Sequence, residues 1–413
     1  MSRLLTLIAP DQLGVGFRLL LAQSWLNALG GGMATAAGPL LVASRTHDAR
    51  LVSLAALLDW LPGFAFGLYA GMLADRHDRR VLMMIGNALR AAVLAVLVGC
   101  LAFGAAPIVV VLLTMLALGI ADTLAQSAGR TVLPMIVDRV DLGIANARFQ
   151  FGWMGINRLI APPLGAGLFV VAQWVPFVTQ LVCAGLAIVL LAQLALPPHG
   201  VAPDDRRHPV SEIRDGWLWA WHNPAVRTLN LQIVCFNLAY GAVWATMVLY
   251  AHERLGLGDL GYGLLLAAIA VGGVIGSFTY GLVERHVSIG DIMRYGLVWE
   301  TSSWALLGWT DQAWVAFVVL GLFGVHEGYW GATYSSVTQR LIPHDLQGRV
   351  GSVYMVLLTG GLVLGAAVAG PMSHHWGITA PYWFGFASAA ICLAALWREI
   401  GRLAREDEQV RAA

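Results

Sequence analysis

The sequence predicts an all-α integral membrane protein, with 12 transmembrane helices arranged in two pseudo-symmetric six-helix bundles. Composition, the spacing of apolar runs and an internal repeat together predict this fold. The 413 residues are 58% hydrophobic and only 12% charged, whereas soluble domains carry about 25% charged residues because their surface must face water. Most of the surface of this chain is therefore expected to face lipid.

Apolar runs between charged or Pro/Gly breaks predict the helices. A helix needs roughly 20 apolar residues to cross the hydrocarbon core of a bilayer, and twelve such runs follow one another. We predict spans at 18–43, 52–73, 80–103, 107–128, 147–172, 175–196, 225–250, 260–283, 288–309, 312–334, 347–372 and 379–397. The domains follow as an N-terminal bundle, a cytoplasmic linker, a C-terminal bundle and a cytoplasmic tail: 1–196, 197–224, 225–397 and 398–413.

The two halves repeat each other in sequence at a nearly constant offset. Three polar residues of the first span recur in the seventh at offsets of 209, 209 and 210: Arg18, Gln23 and Asn27 against Arg227, Gln232 and Asn237. Leu133-Pro134 also recurs, as Ile342-Pro343. Parallel repeats in secondary transporters place a substrate site near the bilayer midplane at the repeat interface. We expect the same arrangement here.

The basic residues predict the orientation of the chain. All 25 of them are Arg, and on the predicted spans Arg45, Arg50 and Arg254 fall in loops on one side, while most others fall on the opposite side. Cytoplasmic loops carry the excess of positive charge, so both termini are expected in the cytoplasm. The protein is then expected in the inner cell membrane, and no signal peptide is predicted.

The predicted hairpin between the second and third spans is a burst of charge, Gly71-Met-Leu-Ala-Asp-Arg-His-Asp-Arg-Arg80. It resembles the Gly-x-Leu-Ala-Asp-Arg-x-Gly-Arg-Arg/Lys signature of the major facilitator superfamily of secondary transporters. The sequence departs from the signature at Asp78, where the family usually has Gly. Further dipeptides, such as Leu61-Pro62 and Asn223-Pro224, resemble the drug-efflux and enterobactin-exporter-like branch.

The resemblance implies a conformational latch. In the family, the acid of this hairpin and the Arg four residues later hold the second helix against the start of the eleventh helix and an acid on the fourth. The corresponding residues here are Gly71, Asp75, Arg76, Arg79, Arg80 and Asp122. The alternative for the arginines is anchoring by the positive-inside rule. For Asp122 a place in a substrate cavity is an equal alternative.

Several polar residues inside predicted spans are candidates for the substrate and proton pathway. An unpaired ionisable group at mid-membrane costs at least about 2.5–3.5 kcal/mol and is a functional candidate by default. The candidates are Gln23, Asn27, Arg158, Gln232, Asn237, Glu300, His326 and Glu327. For the amides the alternative is hydrogen bonding between helices. A further pair, Asp59 with Arg90, is expected to be a structural ion pair.

The fifth span contains Pro162 and Gly165 in a run that resembles the family's antiporter motif. A proline removes a backbone hydrogen bond and a glycine permits close approach of two helices, so a kinked, tightly packed helix is expected. The four cysteines stand singly in apolar runs and are expected to be inert packing residues.

The predicted function is secondary active transport by alternating access. We expect export of a small amphipathic compound, such as a drug or a siderophore, by proton antiport. Uptake of a nutrient or metabolite is the alternative within transport. A non-transporting scaffold or a membrane enzyme is the alternative from another class, although no converging catalytic set is found. We expect no cofactor, no metal and no nucleic-acid partner; the expected partners are the substrate, protons and the bilayer, with the protein as a monomer.

Overall fold

The computed structural model describes residues 13–104, 106–129, 132–138, 140–196, 209–343 and 346–412, without the side chains of Leu68, Asp75, 209–213 and 403–412. The chain is 89% helical, and the described residues contain no strand. The predicted fold class is confirmed.

Twelve long helices correspond to the twelve predicted spans. They are α1 (Gly14–Ala43), α2 (Ala49–Arg76), α3 (Arg79–Ala102), α4 (Ile108–Gly129), α5 (Leu142–Val171), α6 (Val175–Gln193), α7 (Pro224–Arg254), α8 (Asp259–Val283), α9 (Ile289–Trp309), α10 (Ala313–Leu341), α11 (Gln347–Trp376) and α12 (Ala380–Ala412). Among the described residues, eleven helices are long and apolar enough to cross a membrane. The helix outside that set is α9, which carries Asp291, Arg294 and Glu300.

The described residues form two compact units. One contains Met1–Thr46, Leu58–Asp204 and Gly258–Ala267, and the other contains His47–Leu57, Asp205–Leu257 and Ala268–Ala413, as far as these ranges are described. Two of the boundaries lie inside continuous helices, because α2 and α8 each contribute their first nine residues to one unit and the remainder to the other.

Small residues set the packing of α5 against α1 in the first unit. A Cβ atom on Gly165 would lie 2.8 Å from the Met33 carbonyl oxygen. A Cβ on Gly32 would collide with the Asn157 backbone. Lipid tails are as apolar as leucine, so helices in a bilayer associate through such close packing rather than through the hydrophobic effect.

The middle of α5 is a π-helix, Gly152–Ile160, followed at once by Pro162 and Pro163. A proline has no backbone N–H to donate to the preceding turn, and π-helical turns occur where the regular ladder of hydrogen bonds is interrupted. The close packing expected of this helix is present, and the expected kink stays a prediction.

The linker contains a helix at Pro209–His222, which we call the linker helix. A Cβ on its Gly216 would lie 2.7 Å from the Arg349 carbonyl oxygen, at the start of α11. Trp217 and Trp221 stack with their ring centroids 6.0 Å apart, and both are largely exposed. Exposed tryptophans on an amphipathic helix are typical of a segment that lies in the membrane interface.

Candidate functional site

A charge pair joins α3 and α4 in the first unit. The Arg90 guanidinium donates a hydrogen bond to the Asp122 carboxylate. The Arg90 side chain is 11% exposed and that of Asp122 is 34% exposed. Arg90 lies eleven residues into α3, about 16 Å along the helix at 1.5 Å per residue, so the pair is expected near the middle of a span.

Asp59 on α2, which we expected to be the partner of Arg90, is not the carboxylate that bonds it. The charges of Arg90 and Asp59 attract each other through space, but the hydrogen-bonded partner is Asp122. Asp59 is deeply surrounded by protein atoms, and yet its residue is exposed.

A second charge pair joins α9 and α10 in the other unit. The His326 Nε2 atom lies 3.7 Å from the Glu300 Oε2 atom, and both side chains are less than 8% exposed. An imidazole beside a carboxylate can gain or lose a proton near neutral pH. We call Glu300 and His326 the titratable pair.

The packing around His326 fixes its ring beside Glu300. A Cβ on Gly296 of α9 would lie 2.7 Å from the His326 Nδ1 atom, so only glycine leaves room for the ring there. Phe236 and Phe323 contact the imidazole, with ring centroids 6.5 and 6.0 Å away. The imidazole is therefore held between α7, α9 and α10.

A small cavity adjoins the titratable pair. It is lined by Gln232, Cys235, Phe236, Leu297, Glu300, His326, Trp330, Ala389 and Cys392. The centre of a water molecule can move within about 10 Å³ of this cavity. That is roughly the space that a cavity needs to hold one water. The Cys235 and Cys392 thiols both line this cavity and are free; we call them the thiol pair.

The two charge pairs lie at related positions of the repeat. Arg90 and Glu300 are 210 residues apart, the offset that also relates Asn27 to Asn237. Each reaches the next helix of its own half, where the run 119–122 is similar to 324–327. In the first half Arg90 donates to Asp122. In the second half Glu300 lies beside His326, which directly precedes Glu327 in the sequence.

The hairpin between α2 and α3 is formed by a capping aspartate. Asp78 has φ −60° and accepts hydrogen bonds from the backbone N–H groups of Arg80 and Val81, so no glycine is needed at this position. The Arg79 Nη1 atom lies 2.7 Å from Met135 Sδ, and Arg80 Nη2 donates to the Ala192 carbonyl at 2.6 Å. Arg76 is exposed, and a Cβ on Gly71 would meet open space.

The expected centre of the latch, the side chain of Asp75, lies outside the described part. Its counterpart in the second half is Glu284, where the run 281–286 corresponds to 71–77. Glu284 Oε1 lies 3.6 Å from Arg340 Nη2, across the ends of α8 and α10. The second half therefore does form an acid–arginine contact at this point of the fold.

The remaining predicted pathway residues are dispersed. Gln23 is buried in α1, and Asn27 has a buried Oδ1 atom without a hydrogen-bond partner in the described structure. Asn237 bonds the Ile233 carbonyl one turn earlier in its own helix. Arg158 lies over the Trp153 ring at 5.9 Å, and Glu327 is partly buried. Of this set, Gln232, Glu300 and His326 line one cavity.

Sequence reasoning missed Gly296, Trp330 and the thiol pair. Trp330 is one of sixteen tryptophans, and nothing in its sequence context distinguishes it. The one available signal was helical spacing, because His326 and Trp330 are four residues apart and so lie on the same face of a helix.

The family and the curated relatives define this protein as a multi-pass membrane transporter, not an enzyme. The family described as transmembrane secretion effector matches residues 6–412, nearly the whole chain. The chain belongs to this family, within the major facilitator superfamily.

Curated relatives include exporters of different compounds. The chain is 27% identical to the multidrug efflux pump Tap of Mycolicibacterium fortuitum over 375 residues, which cover 88% of this chain and 90% of Tap. It is 24% identical to the enterobactin exporter EntS of Shigella boydii serotype 4 over 404 residues, covering 96% and 95% of the two chains.

Solved transporters share the fold at low sequence identity. A bacterial homologue of the iron transporter ferroportin, in an inward-facing state, has a TM-score of 0.75 at 15% identity and covers 93% of this chain and 98% of its own. The nucleoside transporter NupG has a TM-score of 0.72 at 12% identity and covers 94% and 99%. At such identities the likeness concerns the fold alone.

Proposed function

We propose that this protein exports small amphipathic compounds, a drug or a secondary metabolite such as a siderophore, in exchange for protons that move inward. The observation that carries the coupling is the titratable pair, Glu300 with His326, buried between α9 and α10. The efflux activities named for Tap and EntS support export as the direction. The cycle is alternating access, with the two bundles rocking about a midplane site.

The contrast between the two charge pairs supports a proton site in the second half. Arg90 with Asp122 joins an arginine, which stays charged in proteins, to a carboxylate that it hydrogen-bonds. Glu300 with His326 joins two groups that both change charge readily. A buried titratable pair inside a membrane is typical of a proton relay, whereas a fixed ion pair is suited to holding two helices together.

The hairpin supports the latch assignment in this proposal. Asp75, with Arg79, holds α2 in one state of the cycle, as the matching residues do in the superfamily. The contact of Glu284 with Arg340 in the second half supports this role for the acid. The protein acts as a monomer in the inner membrane, with both termini in the cytoplasm.

The test is transport into proteoliposomes under an imposed pH gradient, with a fluorescent amphipathic cation as the probe. With one proton exchanged per substrate, a gradient of about one pH unit supports about a tenfold accumulation. A protonophore is expected to abolish it. Glu300→Gln is expected to lose the accumulation while still exchanging probe down its own gradient.

Glu253→Gln is the matched control, because the Glu253 side chain is 44% exposed and pairs only distantly with His47. It should accumulate probe like the wild type. Accumulation by Glu300→Gln at the wild-type level would exclude the titratable pair as the coupling site. If the wild type transports a siderophore but not the cation, the protein exports one dedicated metabolite rather than a broad range of drugs.

A further inference from the structure

We infer that an internal water molecule occupies the cavity beside the titratable pair, held by Gln232 and Trp330 and bridging Glu300 to His326. This inference rests on the proposed function, because it assigns the route by which the proton moves within the pair. It adds a bound ligand and two positioning residues, Gln232 and Trp330.

Three buried polar atoms of residues that line the cavity lack a hydrogen-bond partner in the described structure. They are Gln232 Nε2, Gln232 Oε1 and Trp330 Nε1. Gln232 is 3% exposed, and a buried polar group without a partner costs about 1–3 kcal/mol. Buried groups of this kind are ordinarily satisfied by ordered water, so the cavity has both the volume and the need for one.

The chemistry of the lining selects water over an ion. The Trp330 N–H group only donates, so it has nothing to offer a metal cation. The Glu300 carboxylate repels an anion. Water accepts from the Trp330 N–H group and from His326 Nε2, and it donates to Glu300 and to the Gln232 carbonyl oxygen; two to four such partners are usual for a buried water.

The spacing of the pair leaves room for this water. The 3.7 Å from His326 Nε2 to Glu300 Oε2 is too long for a direct hydrogen bond, and a polar gap of this length is commonly bridged by water. The proton step is balanced. Protonated His326 gives its Nε2 proton to the water while the water gives a different proton to Glu300, which leaves neutral imidazole, carboxylic acid and an intact water.

The titratable groups that face the water come from four helices. They are Glu300 of α9, His326 of α10, Cys235 of α7 and Cys392 of α12. Of these four groups, Glu300 and His326 exchange the proton, because their Oε2 and Nε2 atoms lie 3.7 Å apart.

The experiment is infrared difference spectroscopy of the full-length protein in proteoliposomes, between neutral and acidic pH. The carbonyl band of protonated Glu300 is assigned by its loss in Glu300→Gln, and the internal water by the shift of its O–H band in ¹⁸O-labelled water. Gln232→Leu and Trp330→Phe are expected to lose the water band. The pH midpoint of the Glu300 carbonyl band is then expected to shift, because the carboxylate has lost a hydrogen-bond donor.

Trp309→Phe is the matched control, since the Trp309 side chain is 78% exposed; it should keep the water band and the midpoint. Two results would overturn the inference and leave the proposed function intact. One is a Glu300 band without any isotope-sensitive water band. The other is a pH midpoint of the Glu300 band that is the same in both variants as in the wild type. Absence of any Glu300 band between the two pH values would instead contradict the proton site itself.

Discussion

The Glu300 Oε2 atom of α9 and the His326 Nε2 atom of α10 lie 3.7 Å apart, and both side chains are buried. At the corresponding place in the first half, Arg90 is hydrogen-bonded to Asp122. The repeat has therefore kept a charge pair between the third and fourth helices of each bundle but changed its chemistry. The pair of the first half joins a guanidinium to a carboxylate, whereas the pair of the second half joins an imidazole to a carboxylate.

Gly296→Ala is expected to impair the titratable pair. The new methyl group would lie 2.7 Å from His326 Nδ1 and 2.8 Å from Cε1, so the ring must move away from Glu300. Overpacking of this kind costs about 1–3 kcal/mol. The expected result is a lower unfolding temperature in detergent and a weaker pH dependence of transport. Gly331→Ala on α10 is the control, because its methyl group meets open space; equal effects in both variants would contradict the close fit.

Much of the fold was predictable because membrane spans depend on local sequence. Length and apolarity alone define a span, so the twelve helices, the linker helix and the hairpin all follow from runs of residues. The closeness of His326 to Glu300 does not, because it depends on the rotation of two helices about their axes. That rotation is set by small residues such as Gly296, whose role is visible only once its neighbour is known.

Asp122 illustrates the same limit in the first half. Helix geometry gives the position of Asp122 along α4, but position along a helix does not decide which way a side chain points. Asp59 and Asp122 are both acids within reach of α3, and only the packed helices show which of them hydrogen-bonds Arg90. For the same reason Gln23 and Asn27 could be named as candidates without being placed at one site.

Gly165→Ala is expected to destabilise the packing of α5 on α1. Its methyl group would lie 2.8 Å from the Met33 carbonyl oxygen and 2.9 Å from the Met33 Cα atom, and backbone cannot move aside as a flexible side chain can. We expect a loss of about 1–3 kcal/mol, measured by thermal unfolding in detergent. The control Gly167→Ala meets only Leu260 Cδ1 at 3.9 Å, an ordinary contact, and should leave the unfolding temperature unchanged.

Asp78→Ala is expected to weaken the start of α3. The Asp78 carboxylate caps two backbone N–H groups, and replacement of such a cap by alanine costs about 1 kcal/mol, whereas replacement by glycine costs only a few tenths. Asp78→Gly, which restores the residue usual in the superfamily, should therefore retain near wild-type stability in thermal unfolding. Equal losses in the two variants would show that the side chain acts through something other than capping.

Removal of one member of the Arg90–Asp122 pair is expected to do more harm than removal of both. Asp122→Asn leaves the Arg90 charge, 11% exposed, without its hydrogen-bonded carboxylate. Breaking a fully buried pair costs about 3–5 kcal/mol, and since Asp122 is about a third exposed, solvent reduces this to about 1–3 kcal/mol. Thermal unfolding in detergent measures it.

The double variant Arg90→Met with Asp122→Leu tests whether that pair is structural. Replacing a buried ion pair by apolar residues of similar volume is often neutral, so we expect stability to recover to near the wild-type value. Transport should recover with it, because the proposed proton site lies in the other half. A stable double variant that no longer transports would show that Arg90 or Asp122 acts on substrate or protons, and Asp59, exposed beside them, would then be the next residue to replace.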